Sequence, residues 1–114
     1  MDRMKGAGRL RHRVTFNRQT QVDDGYGNVT GEFEPLFTVW GNVRETTGKE
    51  RVAAGAVENN RTATIRVRKS SQTSGLTEAD QAVARGETWN IRGIANVGID
   101  DAMLDILVES GVSQ

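Results

Sequence analysis

From Leu10 the apolar side chains fall on even positions, Leu10, Val14 and Phe16, while Arg9, Arg11 and Arg13 take the odd ones. A period of two marks a strand with one face buried. The same alternation returns at Phe37, Val39 and Val43, set against Thr38, Trp40, Asn42 and Arg44, so Trp40 falls on the face opposite the valines. A third strand is predicted where Ala63, Ile65 and Val67 alternate with Thr62, Thr64, Arg66 and Arg68. Gln81 to Ala84 leads through Arg85-Gly86-Glu87 into Trp89 and Ile91, which reads as a hairpin. Gly93 then interrupts the alternation and Ile94 restarts it on the other parity, the mark of a bulge or bend. Leu104, Ile106 and Val108 form the last strand, with Met103 and Leu107 on its second face.

Between these runs the chain turns. Asp24-Gly25 and Gly27-Asn28 supply the positive-φ residues of tight turns, so residues 21–32 read as a long hairpin loop or arm. Thr47-Gly48-Lys49-Glu50 has capping-box spacing and is followed by Val52, Ala53, Ala56 and Val57, which predicts a short helix over about 49–57. Residues 69–76 form a second long loop, whose part from Lys69 to Gly75 is rich in Ser, Thr, Gln and Gly and has no apolar anchor. Gly6-Ala7-Gly8 predicts a flexible N-terminal tail over 1–8. The whole pattern is all-β: one domain over 1–114, a small β-barrel or sandwich of about six strands with one short helix and long loops.

Composition narrows the function. There are no cysteines, which removes disulfides, thiolate ligands and thiol nucleophiles and suits a reducing cytoplasm. No apolar run reaches the roughly 20 residues that span a bilayer, and no signal-peptide segment opens the chain, so a soluble protein without a membrane partner is expected. His12 is the single histidine and shares the parity of Leu10 and Val14, which predicts a strand histidine with a hydrogen bond; nitrogen or sulfur ligands for a metal are lacking. No serine lies in a nucleophile elbow, and Asp23-Asp24 and Asp100-Asp101 read as solvated turn acids. Neither an enzyme nor a cofactor or metal site is expected.

Charge adds a polarity. The formal net charge is zero, yet residues 1–20 carry six Lys or Arg against Asp2 alone, and residues 95–114 carry four acids and no base. Either the first and last strands pair within one subunit, or copies meet head to tail. The six aromatics are few for a domain of this size, so partner surface is expected to complete the burial. Trp40, Met103 and Leu107 fall on the face opposite their strands' main apolar rows, where either an oligomer interface or a helix or loop such as 49–57 folding over them would cover them. The interface candidates are therefore Arg9, Arg11 and Arg13 facing Asp105 and Glu109, with Tyr26 and Trp40 as aromatic anchors. An alternative is an OB-like barrel binding single-stranded nucleic acid along Arg9, Arg11, Arg13, Arg66, Arg68 and Arg92. The zero net charge weighs against it.

The ordered set Gly8-x-Leu10-Arg11-His12-Arg13-Val14-Thr15-Phe16 with Arg18, Asp24-x-Tyr26-Gly27, Val39-Trp40-Gly41-x-Val43, Gly48-x-Glu50, Thr64-Ile65-Arg66-Val67-Arg68 and Gly86-x-x-Trp89-x-Ile91 resembles the head-tail joining or head-closure proteins of tailed bacteriophages. The resemblance runs over nearly the whole chain, with residues 70–85 departing as a longer, more polar segment. It implies a small β-barrel that forms a homo-oligomeric ring in the virion neck. The ring would sit between the portal with its adaptor and a tail-terminator or tail protein, close the head and touch packaged DNA in passing. It implies assembly in the cytoplasm of a bacterial host, with no enzymatic activity and no cofactor.

Overall fold

The structure, a computed structural model, describes residues 10–20, 22–23, 25, 29–46 and 61–110. Among the described residues there are eight strands: β1 (His12–Gln19), β2 (Val22–Asp23), β3 (Val29–Thr30), β4 (Phe33–Glu45), β5 (Arg61–Arg68), β6 (Gln81–Ala84), β7 (Glu87–Val97) and β8 (Met103–Ser110). Six of them close into an antiparallel barrel in the order β1-β4-β5-β8-β7-β6, with β6 returning to β1, while β2 and β3 pair with each other as a two-stranded arm. Among the described residues the only helical turns are single 3-10 turns, Thr73–Gly75 and Ile99–Asp101. The expected tail over 1–8, the capping box and the helix over 49–57 lie outside the described residues.

Each inward row is the one that alternation picks out. Val14, Phe16, Ile65, Val67, Trp89, Ile91 and Ile106 are fully or almost fully buried, joined by Val43, Ala63, Ala82, Ala84, Leu104 and Val108. Phe37, Val39 and Ile94 pack against this cluster from the margin, with Phe37 tilted on Phe16 at a centroid distance of 5.4 Å. The barrel is filled, not hollow.

Three local devices close it. Gly41 faces inward where β4 crosses β1 and β5: a Cβ there would stand 3.0 Å from a Val67 methyl and 3.1 Å from the Arg66 carbonyl. The Trp-Gly pair thus puts a large ring outside and leaves no side chain inside. Arg85 (φ 53°) and Gly86 (φ 75°) both adopt the left-handed backbone that a two-residue hairpin turn demands, and they join β6 to β7. In β7 the register slips between Ile91, opposite Val108, and Gly93, opposite Leu107, so Arg92 is the extra residue of the bulge expected at Gly93. A second slip in the β1–β4 ladder, between Phe16 and Asn17, leaves Leu36 as the extra residue of β4.

Topology corrects one expectation. β1 lies between β4 and β6, and β8 between β5 and β7, so the first and last strands do not pair within the subunit. The charge difference between the chain ends cannot reveal this, because the β8 acids are met by arginines of the strands beside them.

Candidate functional site

The outer wall of β5, β8 and β7 is an ion-pair ladder. Arg66 grips Asp105 with two parallel hydrogen bonds, Nε to Oδ1 at 2.7 Å and Nη2 to Oδ2 at 2.9 Å. Arg92 Nε donates to Glu109 Oε1 at 3.0 Å, an arrangement the β7 bulge makes possible by presenting Arg92 outward. Both candidate acids of β8 are thereby engaged inside the chain by cross-strand neighbours. A polar recess of about 160 Å³ beside this ladder is lined by Asn42, Arg44, Thr64, Arg66 and Asp105. Leu107, half exposed, lies over Gly93, and Met103 is half-buried against Gly98.

The wall of β1 and β4 differs. Arg13 and Trp40 are register partners, and the guanidinium carbon stands 4.7 Å from the indole centroid, a cation–π contact on the outer surface. Trp40 remains 52% exposed. Beside this pair the Thr15 and Thr38 hydroxyls are 2.8 Å apart. Arg11 is exposed two residues along the same face, and Arg68 lies outward on β5 next to Val67, the partner of Gly41. Arg11, Arg13 and Arg68 form no ion pair among the described residues. Arg9 and Tyr26, the remaining candidates, lie outside the described residues.

The barrel ends hold the ionic groups that alternation did not single out. At one rim Arg18, on the inner parity of β1, donates from Nε to Asp80 Oδ1 (2.8 Å), from Nη2 to Asp80 Oδ2 (2.9 Å) and from Nη2 to the Gly75 carbonyl (2.9 Å). Asp80 is wholly buried and also accepts the Thr77 amide at 2.9 Å. Burial alone would push its carboxyl up; the Arg18 and Thr77 hydrogen bonds and the Arg18 charge outweigh that and hold it below the usual carboxylate range. Residues 69–75 are anchored by a polar group, and Leu76 at their end packs into the core. Thr73, buried, donates its hydroxyl to the Arg68 carbonyl at 2.8 Å and accepts the Ser70 amide at 2.8 Å.

At the opposite rim Arg61 spans the barrel mouth, pairing with both oxygens of Glu45 at 2.8 Å and with Glu87 at 2.9 Å. Its guanidinium stands 5.5 Å from the Trp89 ring, so it caps the buried indole whose Nε1 donates to the Ala84 carbonyl at 3.4 Å. His12 sits at this same end and accepts the Val43 amide on Nδ1 at 3.1 Å, the hydrogen-bonded strand histidine expected from the sequence. Burial lowers its pKa, and the Arg85 and Arg11 charges lower it further.

Nothing in this inventory assembles a nucleophile, a base and an orienting group. Two of the arginines that an oligonucleotide backbone would need, Arg66 and Arg92, are already committed to carboxylates. What the geometry offers is a filled, doubly capped barrel with one wall laced by ion pairs and one wall carrying an exposed indole beside arginines that form no ion pair among the described residues. Similar folds are known. A solution structure of a protein from Shigella flexneri 2a superposes with a TM-score of 0.70 at 24% identity, covering 96% of this chain and 99% of that one. A chain from the virion of a native gene transfer agent particle superposes at 0.71 with 20% identity, covering 91% and 96%. At these identities the likeness is one of fold. A search of the curated proteins finds no match. The family model described as phage head completion protein matches residues 5–111, which takes in every strand of the barrel and both of its rims: the chain belongs to the phage head completion protein family and is a structural protein of the phage head.

Proposed function

We propose that this protein forms a ring of identical copies in the virion neck, between the portal with its adaptor and a tail protein, where it closes the filled head and presents the tail docking surface. The family membership places it among proteins that complete the head, and the likeness to a chain of an assembled virion is in keeping with that role. The observation that carries the reading is the wall of β1 and β4, where Trp40 stands 52% exposed with Arg13 stacked on it. An exposed indole stacked with an arginine is the kind of pair that anchors contact surfaces, where aromatic and arginine side chains are enriched.

Negative-stain microscopy and native mass spectrometry of the chain mixed with its cognate portal and adaptor test this. Ring-shaped density on the portal is expected, and Arg11→Glu combined with Trp40→Ala should abolish it while leaving the thermal melt near that of the parent. Absence of the chain from purified particles, or failure to bind portal and adaptor, would sink the proposal.

A further inference from the structure

Two exposed features carry opposite charge with no ion pair among the described residues. One is the Arg13–Trp40 wall, with Arg11 and Arg13. The other is the turn between β7 and β8. Ile99 there is 86% exposed, the highest of the large apolar side chains among the described residues. It is followed by Asp100 and Asp101, both exposed and neither in an ion pair among the described residues. The turn is a fixed shape. Asp100 (φ 58°) and Asp101 (φ 53°) are left-handed, the Asp101 amide donates to the Gly98 carbonyl and the Ala102 amide to the Ile99 carbonyl (each 3.2 Å), and the Lys69 amide ties the Ala102 carbonyl to the end of β5 at 2.9 Å. An apolar tip already held in one conformation gives up little entropy when it is buried.

The two features are complementary in charge and in shape: an acidic, apolar knob and a basic, aromatic face. They are also placed on opposite sides of the molecule. Counting round the closed order β1-β4-β5-β8-β7-β6, β8 is three strands from β1 in either direction, and β7 is three from β4. A surface and its complement on opposite flanks of one subunit define a head-to-tail contact, which repeats from copy to copy and closes into a ring when the rotation permits. On the wall of β5, β8 and β7 the acids Asp105 and Glu109 are already held by Arg66 and Arg92 of the same chain.

We propose that the Ile99–Asp101 turn of one copy docks on the Arg13–Trp40 face of the next, with the isoleucine against the indole and the two aspartates beside Arg11 and Arg13. The proposal rests on the neck-ring reading for the closure of the contacts into a ring, but the contact itself is a property of the chain.

The absence of cysteine from the chain makes the test clean. The double variant Thr38→Cys/Ala102→Cys, at exposed positions beside the indole and the turn that leave Trp40 and Ile99 in place, introduced into the phage and treated with a short bis-maleimide in purified particles, should give a ladder of dimers, trimers and higher species. Each single-cysteine variant should stay monomeric on a denaturing gel. As a second measurement, Arg13→Glu and Asp101→Arg should each fall at least tenfold in cross-linking when combined with the cysteine pair, and an equal mixture of the two should recover it, because each altered knob then meets its complementary face. A chain present in particles but not linked from position 38 to position 102, or dimers from Thr38→Cys alone, would overturn the contact while leaving the neck reading intact. A chain absent from particles would overturn the neck reading, and the same cross-linking at high concentration in solution would then decide the contact by itself.

Discussion

At one rim of the barrel Asp80 is wholly buried and takes two hydrogen bonds from Arg18 and one from a backbone amide; at the other, Arg61, Glu45 and Glu87 are each about a third to a half exposed. Both rims set an arginine over the end of an apolar core, yet they act through different physics. A carboxylate with no water must have its partners, because an unpaired buried charge costs far more than the pair contributes. A network in contact with water is screened and contributes mainly by covering what lies beneath it, here the Trp89 ring. The same residue types therefore lock the 69–80 loop onto β1 at one end and serve as a cap at the other.

The sharpest way to break the comparison is Asp80→Ala, which removes the acceptor of Arg18 and Thr77 together and should cost about 3 kcal/mol of folding stability, read as a lowered urea midpoint. Arg18→Ala tests the same rim from the other side. It leaves a buried carboxylate that gains stability by taking up a proton, so its deficit should be larger at pH 7 than at about pH 4. An equal deficit at both values would mean that Asp80 is hydrated once Arg18 is gone.

Next in size is Arg61→Ala at the exposed rim. Its destabilisation should be less than half that of Asp80→Ala, and added salt should change it little if the arginine acts by covering Trp89 rather than by its charges. A loss matching that of Asp80→Ala would erase the distinction between the rims.

The smallest effect separates the rims by pH. His12 has a lowered pKa in the fold, so the unfolded chain binds the proton more readily and stability must fall with acidification: its contribution is complete above the unfolded value of about 6.5 and is lost as pH falls through the lower folded value. Asp80, also lowered, keeps its contribution above the unfolded value of about 4 and loses it below. Melting temperatures against pH should therefore decline in two steps, and His12→Gln should remove the upper one alone.

How far the sequence carried depends on the kind of information each element needs. The inner rows of β1, β5 and β8 were legible because a half-buried strand writes its burial as a period of two, and the β7 bulge was legible because Gly93 coincides with a change of phase. Arg18 could have been noticed, since it shares the even parity of Val14 and Phe16 while the other arginines of β1 are odd. Its partner could not, because Asp80 is 62 residues away and local patterning says nothing about which loop folds onto which rim. Strand order fails for the same reason. Opposite charges at the chain ends suggested that β1 and β8 adjoin, but the β8 acids needed arginines one strand away, and β5 and β7 supplied them. The Trp40 face was readable as outward; that it stays bare while the Arg66 wall neutralises itself is a fact of register between strands, which no single strand encodes.

The filled interior reaches past the individual subunit. With Phe16, Ile65, Trp89 and Ile106 occupying the axis, Arg61 laid across one opening and the Asp80 clamp across the other, the barrel has no lumen through which a duplex could be threaded. A conduit for DNA in any assembly of these chains is bounded by their outer surfaces and loops. Its width follows from how many copies stand around it, and its electrostatic lining from which wall each copy turns toward the axis.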